Sequence, residues 1–366
     1  MDRKCFFKIF ADMKRVTIKD IAKLANVSRG TVDRVINNRG KVSKDVEEKI
    51  IKIAKELGYR KNILASRLAS TKICKIAIVC PDDSGDIFWE LPKKGMEKAI
   101  NSIKDYGITT KYWAFDLFDK DEFMKTFRKA IDSSPDIIVL APVFWKESLI
   151  LLKYAEEKQI PIITINSEVD FENIVSYIGQ DSYKSGYLVG KLISMRLNDN
   201  DEIAIINLAH KANNAPHYSG KFLGLKDYFI DNNLDETRIH LYDFKDFMDN
   251  NKLKKFFDDI SLYHKNLKIL FFTNSRAYKL LNNMTKEEID KYIIIGFDAI
   301  APNVKLLKED KIDFLINQNP FRQGYKSIMD SVEYLIHKKK IKQKQYLPLD
   351  IVVKENVDFY LNEVIF

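Results

Sequence analysis

Cysteine is scarce in this chain: its 366 residues hold only Cys5, Cys74 and Cys80, with no C-x-x-C pair. That excludes a disulfide framework and a cysteine-rich zinc site, and it fits a reducing compartment. Histidine is nearly as rare. The five, at 210, 217, 240, 264 and 337, do not cluster along the chain and none stands at metal-ligand spacing from another, so neither a metal nor a cofactor is expected. The motifs G-x-x-x-x-G-K-[ST], G-x-S-x-G, G-x-G-x-x-G and H-E-x-x-H are all missing, which leaves no phosphate cradle, nucleophile elbow or zinc-protease helix on which to build an enzyme. No apolar run approaches the roughly 20 residues that span a bilayer. Near the start, Lys8, Asp12 and Lys14 interrupt the apolar fragment Cys5-Phe6-Phe7 and no small-residue cleavage site follows, so a secretion signal is not expected either. The chain reads as cytoplasmic and not membrane-bound. Met13 stands just before the first motif, so residues 1–12 read as a loose extension or an over-long start.

What is present is unevenly distributed. Residues 1–72 carry 19 Lys and Arg against 8 Asp and Glu, and the rest of the chain 41 against 44, so the head is +11 and the body −3. A basic head on a near-neutral body fits a polyanionic partner. With 46% hydrophobic residues in 366, there is material for two or three domains.

The head reads as three short helices. Thr17 is a helix N-cap with Asp20 three residues on, and Ile18, Ile21, Ala22, Leu24 and Ala25 form its apolar stripe. After the Asn26-Val27 turn, Ser28 can cap a second helix. Val32, Val35 and Ile36 of that helix face inward, while Arg29, Gly30, Asp33 and Arg34 face outward, where they could meet base edges. A third helix opens at Ser43, carries Asp45 and Glu47 in its first turn, and stops at Gly58. The segment Ile63 to Ala69 has helical composition, but it is shorter than the ~12–15 residues at which an isolated helix becomes marginal in water. It needs a partner to fold.

From Lys75 onward, short apolar strands alternate with amphipathic helices. Strands are expected near Ile76, at 110–115, 137–140, 162–165, 203–206, 239–242, 269–272, 292–295, 314–316 and 351–353, with a helix opening near Pro92. This α/β texture predicts doubly wound parallel sheets in two lobes. Crossings between lobes are expected near 166–170, 298–302 and 318–322. Ligands of such folds sit beyond the carboxyl ends of the strands. Those ends are rich in amides, carboxylates and rings: Asp82 to Trp89, Phe144-Trp145, Asn166-Ser167-Glu168, Asn207, Asn274-Ser275, Asp298 and Gln318-Asn319. Rings can cover the C–H faces of a polyhydroxylated ligand while amides and carboxylates satisfy its hydroxyls.

The run from Val16 to Asn37 (V-T-I-K-D-I-A-K-L-A-N-V-S-R-G-T-V-D-R-V-I-N), with Val42-Ser43, Leu57-Gly58-Tyr59 and N-x-x-A-x-x-L from Asn62 to Leu68, resembles the lactose-repressor (LacI/GalR) family of bacterial transcription regulators. The body resembles that family's type I periplasmic-binding-protein-like effector domain through Thr273-Asn274-Ser275, Gly296-Phe297-Asp298 and the run from Gln318 to Tyr325. The resemblance implies a helix-turn-helix domain at 16–58 after an extension at 1–15. A hinge-helix linker at 59–74 and a two-lobed ligand-binding and dimerisation domain at 75–366 complete the chain. It implies DNA contacts at Thr17, Ser28, Arg29, Gly30, Thr31, Arg34, Asn37, Tyr59, Asn62, Ala65 and Leu68, the last as a wedge in the minor groove. Asp33 stands where the family usually has Ser, and the small Gly30 hands more of the base reading to Arg29. In the cleft it implies ring stacking by Phe88 and Trp89 and polar contacts from Asn166, Asn274, Asp298 and Gln318. Lys221 replaces the family's effector-binding Arg, a point charge for a bidentate fork. The function implied is an operator-binding homodimer, a repressor, controlled by a small ligand, a sugar or sugar derivative. A solute-binding protein or a sugar-active enzyme on the same fold is the alternative.

Overall fold

A computed structural model describes residues 17–36, 40, 42–57, 73–209 and 217–360, in two compact units, Met1–Lys72 and Ile73–Phe366.

In the first unit, α1 (Ile18–Ala25), α2 (Arg29–Ile36) and α3 (Lys44–Glu56) enclose a small core of Ile21, Ala22, Ala25, Val32, Ile50 and Ala54. The Thr17 N–H donates to Asp20 Oδ2 at 2.8 Å, and its hydroxyl donates to the same oxygen at 2.7 Å. Asn26 turns the chain at φ 55°. Ser28 Oγ then accepts the Thr31 N–H at 3.1 Å and starts α2. Full burial of Ile21, Val32 and Ile50 stabilises the unit by about 1.5–3 kcal/mol each. Leu24, expected in the buried stripe of α1, is instead 58% exposed. Ile18, Ile21, Ala22 and Ala25 follow the i, i+3, i+4, i+7 spacing, whereas Leu24 falls outside that stripe on its flank.

The second unit holds two six-stranded sheets among the described residues. Its strands are β1 (Cys74–Pro81), β2 (Ile108–Phe115), β3 (Ile137–Leu140), β4 (Ile162–Asn166), β5 (Ser176–Gly179), β6 (Glu202–Leu208), β7 (Ile239–Phe244), β8 (Leu267–Phe272), β9 (Ile293–Phe297), β10 (Phe314–Asn317), β11 (Lys344–Tyr346) and β12 (Asp350–Val352). The first lobe has the order β11-β5-β4-β3-β1-β2 and the second β12-β10-β9-β8-β6-β7. Pairing is parallel throughout except for β12, which runs antiparallel to β10. Central strands such as Ile137–Leu140 are buried along their whole length, as strands covered on both faces must be. Helices supply the cover: α4 (Glu90–Ser102), α5 (Lys120–Asp132) and α6 (Trp145–Glu157) in the first lobe, then α7 (Ser182–Ser194), α8 (His217–Asp231), α9 (Asn250–Tyr263), α10 (Ala277–Leu281), α11 (Lys286–Ile289) and α12 (Ala301–Lys308) in the second. The last long helix, α13 (Pro320–Leu335), returns to the first core through Ile328, Val332 and Leu335.

The chain therefore passes between lobes at residues 180–181, 318–319 and 347–349. Only the crossing near 318–322 falls where the sequence predicts one. At the other two sites, Asn166 and Asp298 adopt left-handed backbone, φ 66° and 61°, and turn the chain back within its own lobe. Their short polar side chains tolerate that region, and the turn leaves both at the carboxyl ends of β4 and β9.

Candidate functional site

One cavity between the two lobes gathers all seven residues singled out for ligand contact: Phe88, Trp89, Asn166, Lys221, Asn274, Asp298 and Gln318. Each reaches it from the carboxyl end of a strand or from the start of the helix that follows. Phe88 and Trp89 form a short 3-10 turn after β1, whose start is fixed by Asp86 Oδ1 accepting the Phe88 N–H at 3.1 Å. Their rings meet edge to face at 5.2 Å and 89°, a favoured aromatic geometry, so each ring braces the other.

The polar groups are tied into one another. Gln318 Nε2 donates to Asp298 Oδ2 at 2.9 Å, and Asn166 Nδ2 donates across the cleft to Gln318 Oε1 at 3.4 Å. Gln323 Nε2 holds the Gln318 carbonyl at 3.0 Å. In the second lobe Asn274 Nδ2 donates to the Leu208 carbonyl at 3.1 Å, and the Thr273 hydroxyl donates to Asn207 Oδ1 at 2.9 Å. A site held this way is preorganised, because its side chains are already restrained before a ligand arrives.

Lys221 is 1% exposed. Its Nζ donates to the Thr273 carbonyl at 2.5 Å and stands 3.4 Å from the centre of the Phe297 ring. Helix packing sets this position. Gly186 on α7 and Gly224 on α8 let the two backbones touch; a Cβ on Gly186 would lie 1.9 Å from the Lys221 carbonyl oxygen. Burial lowers the Lys221 ammonium from its ordinary value, and the Asp298 charge works against that fall. Burial likewise raises Asp298, opposed by its Gln318 hydrogen bond and by Lys221. The two are a buried pair of opposite charge sharing one low-dielectric site.

Three further groups were not among the residues expected to bind. Arg276, just after β8, donates from Nη2 to Asp86 Oδ2 at 2.6 Å, from Nη1 to the Leu208 carbonyl at 2.7 Å, and lies over the Phe247 ring. Asp86 belongs to the first lobe and Arg276 to the second, so this buried ion pair bridges the cleft. Gln180, at the first crossing, lines the cavity, and its buried Oε1 finds no hydrogen-bond partner among the described residues. Asp86 lies inside the polar stretch 82–89 that follows β1, and Arg276 stands two residues after Asn274. Neither signal could show that the two face each other.

In the head, Ser28, Arg29, Gly30 and Arg34 are exposed along one end and flank of α2, Thr31 is half-buried, and Thr17 is exposed at the start of α1. Ser28 Oγ also pairs with the Thr31 hydroxyl at 2.9 Å. Asn37, Tyr59, Asn62, Ala65 and Leu68 lie outside the described residues.

The profile for bacterial regulatory proteins of the lacI family matches residues 17–62, and that for the periplasmic binding protein domain matches residues 76–339. The chain belongs to the periplasmic binding protein domain family through its body, and its head is a lacI-family DNA-binding domain. Among its relatives, the chain is 26% identical to the HTH-type transcriptional regulator MalR of Streptococcus pneumoniae over 300 residues, 80% of the chain and 86% of MalR. The chain spans about half the length, 44–49%, of the curated relatives RegA and DegA. Its fold is that of a protein described as a LacI transcriptional regulator from Bacteroides fragilis, at a TM-score of 0.70 and 24% identity over 79% of this chain and all of that one. It is also that of GanP, a glucose-galactose binding protein from Geobacillus stearothermophilus, at 0.67 and 19% over 78% and 99%. Among the described residues, no helix is long and apolar enough to cross a membrane.

Proposed function

We propose that this chain is a cytoplasmic, homodimeric transcription repressor that binds operator DNA through residues 16–58. Residues 59–74 would link that reader to the body, and a monosaccharide or close derivative held in the cleft of residues 75–366 would set its DNA affinity. It acts by binding and not by catalysis. The exposed Ser28, Arg29, Gly30 and Arg34 suit the major groove, with Arg29 placed for guanine O6 and N7. The +11 charge of the head suits phosphates.

The observation that carries the ligand reading is the cleft itself: two braced rings, a network of amides and carboxylates, and in Gln180 a buried acceptor left open for a donor. A sugar hydroxyl is such a donor, and a sugar's C–H faces need such rings. The small cavity, about 90 Å³, suits one sugar ring better than two.

The test is a thermal-shift screen of the full chain against monosaccharides, sugar acids and disaccharides, with operator affinity read in parallel by fluorescence polarisation. One monosaccharide-sized compound is expected to stabilise the chain by about 2.7 kcal/mol at a hundred times its Kd and to change operator affinity at least several-fold. A compound that stabilises the body without altering DNA binding would leave a solute-binding protein and overturn the regulatory reading.

A further inference from the structure

At the other end of the second lobe, away from the cleft, three side chains that are distant in sequence converge. Glu202 opens β6, His240 is the second residue of β7, and His264 caps the C-terminus of α9 just before β8. Parallel pairing of β6 with β7, in which Ala204 stands opposite His240, brings the first two together. The return of α9 toward β8 brings the third. His264 Nδ1 lies 3.1 Å from Glu202 Oε2, and His240 Nε2 lies 3.5 Å from Glu202 Oε1. The imidazole rings lie 4.0 Å apart between centroids, with their planes tilted by 33°. Among the described residues, this is the group of His, Cys, Asp and Glu whose candidate ligand atoms all fall within 4.8 Å of one another. Sequence spacing gave no sign of it, since 24 residues separate the two histidines.

We propose that Glu202, His240 and His264 form a binding site for a divalent transition-metal ion of the zinc class. Zinc takes imidazole nitrogen and carboxylate oxygen at about 2.0–2.2 Å, so neighbouring ligand atoms around a tetrahedral ion stand roughly 3.3–3.5 Å apart. The observed 3.1 and 3.5 Å bracket that spacing. One carboxylate and two neutral imidazoles suit Zn²⁺, Ni²⁺ or Cu²⁺ far better than Ca²⁺ or Mg²⁺, which take oxygen ligands. His240 Nε2 is buried and faces Glu202 Oε1 at 3.5 Å, a long contact that falls short of a hydrogen bond, so in the neutral ring this nitrogen can turn its lone pair to an ion. His264 is braced from behind: its Nε2 meets the Tyr242 hydroxyl, so with the proton on Nε2 the ring presents Nδ1 to the ion, in the manner of an outer partner orienting a metal-bound histidine. A pair of imidazolium rings at this separation would repel each other, whereas a bound cation needs both neutral. Glu202 and His240 are half-exposed, which leaves a fourth position for water. The ion would staple the starts of β6 and β7 to the end of α9, and it would not compete with a ligand in the cleft at the opposite strand ends.

The experiment is titration of the untagged full chain with Co²⁺, read by its visible absorption, followed by displacement with Zn²⁺. His240→Ala and Glu202→Gln are run alongside, both checked for an unchanged far-UV circular dichroism spectrum. The wild type is expected to take up one Co²⁺ with a tetrahedral-type spectrum and to release it to Zn²⁺; each substitution is expected to weaken uptake at least ~10-fold. Uptake of equal strength in the wild type and both variants would place the metal elsewhere and overturn the proposal. The absence of saturable uptake by the wild type would overturn it as well.

Discussion

Arg276 and Asp86 place opposite charges 2.6 Å apart in a site from which water is nearly excluded. Each residue needs the other, since removing one partner of a buried pair leaves an uncompensated charge worth about 3–5 kcal/mol. The pair exists only while the lobes are together, so its disruption should favour the open cleft. Arg276→Met is therefore expected to weaken effector binding by tenfold or more, and Asp86→Asn in that background to recover part of the loss. Calorimetric titration of the four proteins of the cycle checks this; additive effects, with no coupling, would show that the two side chains act separately. The Lys221–Asp298 pair makes a second expectation, about pH. Burial raises Asp298 above its ordinary 3.8 and lowers Lys221 below its ordinary 10.5. Both charges are present only between the shifted values. A ligand held by both should therefore bind best in that interval, losing affinity as pH falls through the raised carboxyl value and again as pH rises through the lowered ammonium value. A titration series across pH measures it, and a flat profile would mean that neither charge touches the ligand.

At the scale of elements, the helix pair α7–α8 positions Lys221 through backbone contact. Gly186→Ala would drive a methyl group to 1.9 Å from the Lys221 carbonyl oxygen, whereas at Gly85 the same methyl would find its nearest neighbour at 3.9 Å. The first substitution is expected to destabilise the body by about 1–3 kcal/mol and to weaken ligand binding; the second should do neither. Equal melting temperatures for the two variants would contradict the packing account. The same scale shows why some of the fold was readable from sequence and some was not. Apolar runs such as Ile137–Leu140 announce themselves because a buried parallel strand has no polar face. The short β5 and β11 did not, because Ser176-Tyr177-Ile178-Gly179 and Lys344-Gln345-Tyr346 lack that signature and are strands only through their neighbours. Two of the three crossings were misplaced for a related reason: Asn and Asp after a strand signal a turn, and nothing local says whether the turn leads out of the lobe. That the seven proposed cleft residues would line one cavity was legible because strand ends are fixed positions in such sheets. The Asp86–Arg276 bridge and the Glu202–His240–His264 group were not, as each depends on which distant strands become neighbours.

For the whole molecule, the second unit presents a closed cleft whose two walls are held by contacts between lobes: Asp86 with Arg276, Asn166 with Gln318, and the Phe118 and Phe247 rings 6.3 Å apart. A ligand can shift the balance between open and closed forms only by binding one more tightly than the other, and a tenfold change in operator affinity requires a coupling of about 1.4 kcal/mol. Control of DNA binding by the cleft is the claim on which the account rests. The most direct measurement is the operator affinity of the wild type and of Asp298→Asn, each with and without the ligand found in the screen. The expected result is a several-fold change in the wild type that is absent or much reduced in Asp298→Asn, with the ligand-free affinities of the two proteins alike. An equal response in both would remove the cleft from the control of DNA binding and contradict the account.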